Sequence, residues 1–224
     1  SHEQVKKAKK ITIIGGGLVG TELMGEICTH YSDKKLHIIH PHSRLMERNT
    51  EKVSKYAENF FKEKGVEIIF NERVTEVKNG KLVTESGKEF DHELTFFTVG
   101  IKPNLKLMKK NFSNKIDKEI KVNEYLQLSG FDNIFVAGDV AGVKEEKTAQ
   151  NAEKQAMTTV KNIMALEKGI ELKKYDSQKR LMVISLGKFN GIIEYKKFVL
   201  SGILPALMKF MIEKREMIKR RKFI

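Results

Sequence analysis

Three glycines at G-x-G-x-x-G spacing, Gly15, Gly17 and Gly20, follow the apolar run Ile11-Thr12-Ile13-Ile14 and lead straight into the helix-compatible stretch Leu23-Met24-Gly25-Glu26-Ile27. Strand, tight turn and helix in that order make a phosphate-binding element. The first glycine permits the turn, the second lets backbone approach a pyrophosphate because no Cβ intervenes, and the third lets helix and strand pack closely. The backbone around Gly16, Leu18 and Val19 would then present free N–H groups and the positive end of the helix dipole to an anion. A dinucleotide is the ligand such an element fits.

Two further sets of residues bear on that ligand. In a NAD site an acid about 20 positions past the glycines, at the end of the second strand, holds the ribose hydroxyls. Here that position is His40, followed by His42 and Arg44. A cationic cluster cannot accept from ribose hydroxyls but can meet a 2′-phosphate, which favours NADPH or dual use. The alternative is that His40 caps a strand while His42 and Arg44 are solvated loop residues. Downstream, the apolar run Ile134–Ala137 enters Gly138-Asp139. Asp139 could accept from a ribityl or ribose hydroxyl, or it could cap the following turn.

These residues need elements to position them. Residues 18–31 suit a helix and residues 36–40 the second strand of a βαβ unit. Val53, Tyr56, Ala57, Phe60 and Phe61 lie at i, i+3, i+4, i+7 and i+8, one apolar helix stripe that Gly65 terminates. Residues 66–70 fit a buried strand. Asn79-Gly80 joins two alternating segments, 73–78 and 81–85, as a hairpin, and Ser86-Gly87 turns the chain again toward Leu94–Val99, a buried strand. Gly100-Ile101-Lys102-Pro103-Asn104 is a turn at that strand's carboxyl end, where open α/β sheets place their binding sites. The Lys- and Asn-rich segment 105–119 is expected at the surface, and 148–167 as a helix. The resulting divisions are a linker at 1–10, a nucleotide-binding domain at 11–99, a second region at 100–170 and a C-terminal region at 171–224.

Composition bounds the partners. The 224 residues carry 42 Lys and Arg against 29 Asp and Glu, a net charge of +13 that favours nucleotide phosphates, anionic membranes or nucleic acid. A single cysteine, Cys28, excludes an internal disulfide, a C-x-x-C redox pair and a multi-cysteine metal site within these residues, and suits a reducing, intracellular compartment. No apolar run reaches 18 residues, and Ser1–Lys10 is too polar for a signal peptide.

Three segments in order and spacing, Gly15–Glu22, Thr98–Asn104 and Phe135–Val140, resemble the flavin-dependent pyridine-nucleotide oxidoreductases, and most closely their branch of apoptosis-inducing-factor and ferroptosis-suppressor quinone reductases, related to type II NADH dehydrogenases. The resemblance implies an α/β fold: a Rossmann-like three-layer dinucleotide-binding domain with a β-meander, plus the C-terminal half of a second, FAD-binding domain. It implies FAD and NAD(P)H as cofactors. Gly15, Gly17 and Gly20 match the NAD(P)H fingerprint, and Glu22 the acid that lies near the nicotinamide. Gly100 matches the return into the FAD domain, and Gly138 and Asp139 the flavin-binding pair. The helix from Thr148 and Ala149 would point its N-terminus toward the isoalloxazine ring. The family's first glycine fingerprint lies outside these residues, so the stretch alone is expected to bind flavin weakly.

The tail runs F-V-L-S-G-I-L-P-A-L-M-K-F-M-I from Phe198 and then turns basic with Lys214, Arg215, Lys219, Arg220, Arg221 and Lys222. Such an end suits peripheral membrane contact beside a quinone-like acceptor, and its apolar half suits packing on the FAD domain. Two functions from different classes follow: an FAD-dependent NAD(P)H:quinone oxidoreductase, cytoplasmic or peripheral on a membrane, and a non-catalytic dinucleotide-binding module whose basic surface binds nucleic acid or membrane. No Trp and only five Tyr leave few platforms for base stacking.

Overall fold

The computed structural model describes residues 2–112, 116–177 and 181–221. They form two compact units, one of Ser1–Val99 with Lys179–Ile224 and one of Gly100–Gln178.

The first unit is built on a parallel four-stranded sheet in the order β3-β2-β1-β7, where β1 is Lys10–Ile14, β2 Lys35–Ile39, β3 Glu67–Ile69 and β7 Leu94–Phe97. Alternation sorts its side chains. Ile11, Ile13, Leu36 and Ile38 join the core beneath α2 (Leu18–His30) and α3 (Glu51–Glu63), while Ile14 and Ile39 pack with Leu82 of the meander. That meander, β4 (Val74–Lys78), β5 (Lys81–Thr84) and β6 (Glu89–Asp91), covers the opposite face. Its first turn is Asn79-Gly80 with φ of 49° and 72°, the left-handed pair that matches strand twist. The stripe on α3 is buried as its period requires, Tyr56 less deeply than the rest, and the helix stops where Gly65, at φ 71°, lets its own and the Val66 N–H reach back to Lys62 and Phe61. A short helix, α1 (His2–Lys7), occupies the expected linker, and Ala8 after it is buried.

The C-terminal residues return to this same unit. Strands β8 (Met182–Ser185), β9 (Gly191–Tyr195) and β10 (Phe198–Gly202) form an antiparallel sheet, and Ile184, Leu186 and Ile192 complete the core that holds Met24, Ile27 and Cys28. Gly25 makes the approach possible: a Cβ there would lie 2.9 Å from Leu186 Cα. The helix α6 (Ile203–Arg221) buries Pro205 and Ala206 over Gly191 and Ile184. The buried part of the tail thus packs on the antiparallel sheet that extends the nucleotide unit. Lys222 and the side chains of Lys219, Arg220 and Arg221 lie outside the described residues.

In the second unit α4 (Lys106–Phe112) packs Met108 and Phe112 on Leu105, Ile120, Leu128, Val136 and Ala141, while α5 (Ala149–Glu167) is tied in by buried polar side chains, Gln155 to the Gly138 N–H and Asn162 to Tyr125 O. The segment expected at the surface from 105 therefore contributes Leu105, Met108, Phe112 and Ile116 to a core. Residues 134–137 form no strand; they make one bridge, Gln127 to Phe135, because their partner is the tight turn at Leu126, where φ is 66°.

Candidate functional site

The glycine turn lies at the carboxyl end of β1, and close contacts exclude a side chain at Gly15 and Gly20 but not at Gly17. Gly15 sits at φ 104°, and a Cβ there would come within 2.6 Å of Thr98 O. At Gly20 a Cβ would lie 1.9 Å from Gly15 O. Around Gly17 there is nothing within 4 Å, so its missing side chain leaves open space at the start of α2. Gly17 is the N-cap, makes no side-chain cap, and no acid occupies the first turn. Uncapped N–H groups beside a bare Cα make a cradle that fits a pyrophosphate.

Thr98 fixes the turn from β7. Its Oγ1 donates to Ile14 O at 2.9 Å and Gly15 O at 2.8 Å, and its N–H reaches Ile14 O at 2.8 Å. Sequence reasoning placed Thr98 only at the head of the Thr98–Asn104 segment and gave it no part in the glycine turn.

His40 is where β2 points it, but it is buried, at 3% exposure. Its Nδ1 accepts the Gly16 N–H at 2.9 Å, so the ring is neutral with its proton on Nε2. Burial drives its pKa below the ordinary value, with Glu47 opposing that shift. Glu47 Oε2 lies 3.3 Å from Nε2, off the alignment of a hydrogen bond. Arg44 is equally committed: its guanidinium donates to Ser54 Oγ at 2.6 Å and to the carbonyls of Met46 and Glu47. The cationic cluster expected at 40–44 is thus, in the structure, a neutral buried imidazole and a stapled guanidinium, with His42 half-exposed beside them. The Gly16 N–H, counted among the phosphate donors in the sequence, is spent on His40, whereas Leu18 and Val19 open the first turn of α2 as expected.

Glu22, one turn further, faces the C-terminal sheet. It accepts from the Ser185 N–H at 3.1 Å and pairs with Lys209 of α6 at 3.0 Å. Cys28, on the same helix, is buried among apolar neighbours, which pushes its thiol up to about 11. It is not a nucleophile in this state.

The remaining candidates fall in the second unit. Gly100, its first residue, has φ 101° and open space where a Cβ would be. Gly138, at φ 84°, donates its N–H to Gln155 Oε1 at 2.7 Å; Gln155 Nε2 in turn donates to Glu145 Oε1 at 2.7 Å, which also accepts from Tyr175 OH at 2.6 Å. Asp139 is exposed next to this anchored turn. Thr148 caps α5, its Oγ1 accepting from Asn151 N at 3.3 Å, and Ala149 is exposed in the first turn. Gln155, missed in the sequence, carries the turn. Among the described residues no group of three or more His, Cys, Asp or Glu could hold a metal ion.

The family model for pyridine nucleotide-disulphide oxidoreductases matches residues 1–156. The chain belongs to this family. Apoptosis-inducing factor homolog B of Dictyostelium discoideum is 33% identical over 92% of the chain and 61% of its own length, and ferroptosis suppressor protein 1 of Homo sapiens is 28% identical over 92% and 58%. The chain therefore spans less than two thirds of those relatives. The structure of NDH2 from Plasmodium falciparum, solved with NADH, superposes with a TM-score of 0.77 at 13% identity, covering 95% of this chain and 63% of that one. A ferredoxin reductase from Rhodopseudomonas palustris reaches 0.67 at 18%, over 89% and 57%. Membership confirms the α/β, Rossmann-like fold and brings FAD and NAD(P)H as the family's cofactors.

Proposed function

We propose that this chain is the nucleotide-binding portion of an FAD-dependent NAD(P)H oxidoreductase that delivers electrons to a quinone-like acceptor. The observation that carries this reading is the cradle at Gly17, bare on its ligand side while Gly15 and Gly20 are closed by contacts that no Cβ could survive. When bound, the flavin and the nicotinamide supply the hydride and electron chemistry, so the chain needs no acid or base of its own. The protein's part is to seat and orient. Gly15, Gly17 and Gly20 shape the turn, the N–H groups at Leu18 and Val19 meet the pyrophosphate, and Glu22, held by Ser185 and Lys209, positions the nicotinamide end. In the second unit Gly138, Asp139 and the α5 terminus at Thr148 and Ala149 contribute to the flavin site. The quinone-like acceptor is supported by the resemblance of Gly15–Glu22, Thr98–Asn104 and Phe135–Val140 to the ferroptosis-suppressor quinone reductases.

The test is calorimetric. NADH or NADPH is expected to bind the chain, and Gly17→Val, which fills the open space without straining φ, to abolish binding while leaving the melting curve intact. Retained affinity in the variant would remove the nucleotide from this turn.

A peripheral membrane contact has its own support. Ile203, Leu204, Leu207, Phe210 and Met211 of α6 are exposed, on a chain of net charge +13. No helix among the described residues is long and apolar enough to cross a membrane. Sedimentation with phosphatidylserine-containing vesicles, lost in Phe210→Glu/Met211→Glu, is expected; equal sedimentation of both proteins would exclude α6.

A further inference from the structure

The adenosine end of the nucleotide site holds a residue that the glycine spacing does not reveal. His40 occupies the position where an acid ordinarily accepts from the ribose hydroxyls. Its Nδ1 is taken by the Gly16 N–H at 2.9 Å, and Nε2 carries the ring's proton, so His40 has no acceptor left for a ribose. Arg44 has its guanidinium on Ser54 Oγ and two carbonyls.

The loop that follows β2 folds back onto the glycine turn. Met46 N–H donates to Gly16 O at 2.8 Å, Leu45 Cδ2 fills the space a Cβ on Gly16 would need, and Leu45 N–H is held by Glu58 at 3.0 Å. This brings Glu47 beside His40, with Oε2 3.3 Å from Nε2 and Oε1 3.7 Å from the half-exposed His42 Nε2. Glu47 is a third exposed, and its buried Oε2 has no aligned hydrogen-bond donor. It is the carboxylate at the end of β2, reached through the fold seven positions later in the chain.

Granting the proposed nucleotide site, we propose that Glu47 reads the adenosine ribose: its carboxylate accepts from the 2′-hydroxyl and repels a 2′-phosphate, so the chain prefers NADH to NADPH. This reverses the preference suggested by the sequence of basic residues at 40–44. A carboxylate both supplies the acceptor that a ribose needs and opposes the added charge of a 2′-phosphate.

Calorimetric titration of the 224-residue chain with NADH and NADPH, and with 5′-AMP and 2′,5′-ADP as the adenosine ends alone, tests this. Wild type is expected to bind NADH and 5′-AMP at least tenfold more tightly than their 2′-phosphorylated counterparts. Glu47→Gln should narrow both ratios at least fivefold, chiefly by tightening the phosphorylated ligands, and Glu47→Asp, which keeps the charge, should retain most of the preference. Ratios unchanged in Glu47→Gln, or a wild type that favours NADPH, would overturn the assignment while leaving the nucleotide site in place. Failure of wild type to bind any of the four would overturn the site and Glu47's role together.

Discussion

The two units each carry a glycine turn with positive φ, and they hold it by different means. At Gly15 the turn is gripped by backbone: Thr98 O and the helix start at Gly20 close on it so tightly that side chains are excluded. At Gly138 the nearest atom to an added Cβ is Ala152 Cβ at 3.9 Å, and the turn is instead tethered through one buried side chain, Gln155. The first device leaves no room for an added atom, while the second leaves room but depends on one amide.

The largest effect expected from this contrast is at Gly20. A Cβ 1.9 Å from Gly15 O must push helix and strand apart, so Gly20→Ala should cost about 3 kcal/mol or more and lower Tm by roughly 6–12 °C, seen by differential scanning calorimetry. Gly138→Ala meets no clash and bears only left-handed strain, about 1–2 kcal/mol. Equal losses at the two sites would break the comparison. Next comes Gln155→Leu, which leaves the Gly138 N–H without its acceptor and takes one donor from Glu145, worth about 1–3 kcal/mol in chemical denaturation, whereas a side chain that merely filled space would be replaced by leucine at little cost.

A side-chain tether in the first unit extends the contrast to pH. The Lys88 ammonium at 2.7 Å and the Ser86 hydroxyl at 2.8 Å hold the Glu72 carboxyl down to about 2. The folded value is depressed, so the stabilisation is complete above the ordinary glutamate range and is lost as pH falls from about 4 through 2. Glu72→Gln should flatten that limb of the Tm-versus-pH curve; an unchanged limb would remove the tether. The smallest effect is at Cys28, whose buried thiol should stay unreacted with Ellman's reagent at pH 8 until the chain unfolds.

Much of the first unit was legible because its signals are local. The strand-turn-helix of residues 11–30, the stripe on α3 and the Asn79-Gly80 hairpin each follow from periodicity or from a φ that few residues adopt. The second unit was less legible. Its core is assembled from isolated bridges, so Ile134–Ala137 looked like a strand and Leu105 like surface. At the site, spacing located His40 but could not show that Gly16 would claim its Nδ1, since that bond joins residues 24 apart.

The sequence alone determined the glycine turn, because φ 104° at Gly15 and the contacts at Gly20 admit one residue type and that type is visible in the chain. Tertiary structure alone decided which groups around it remain free. The Gly16 N–H claimed His40 Nδ1, Ser54 and two carbonyls took up Arg44, and the returning loop put Glu47 beside His40, because the availability of a hydrogen bond depends on neighbours in space that no spacing along the chain records.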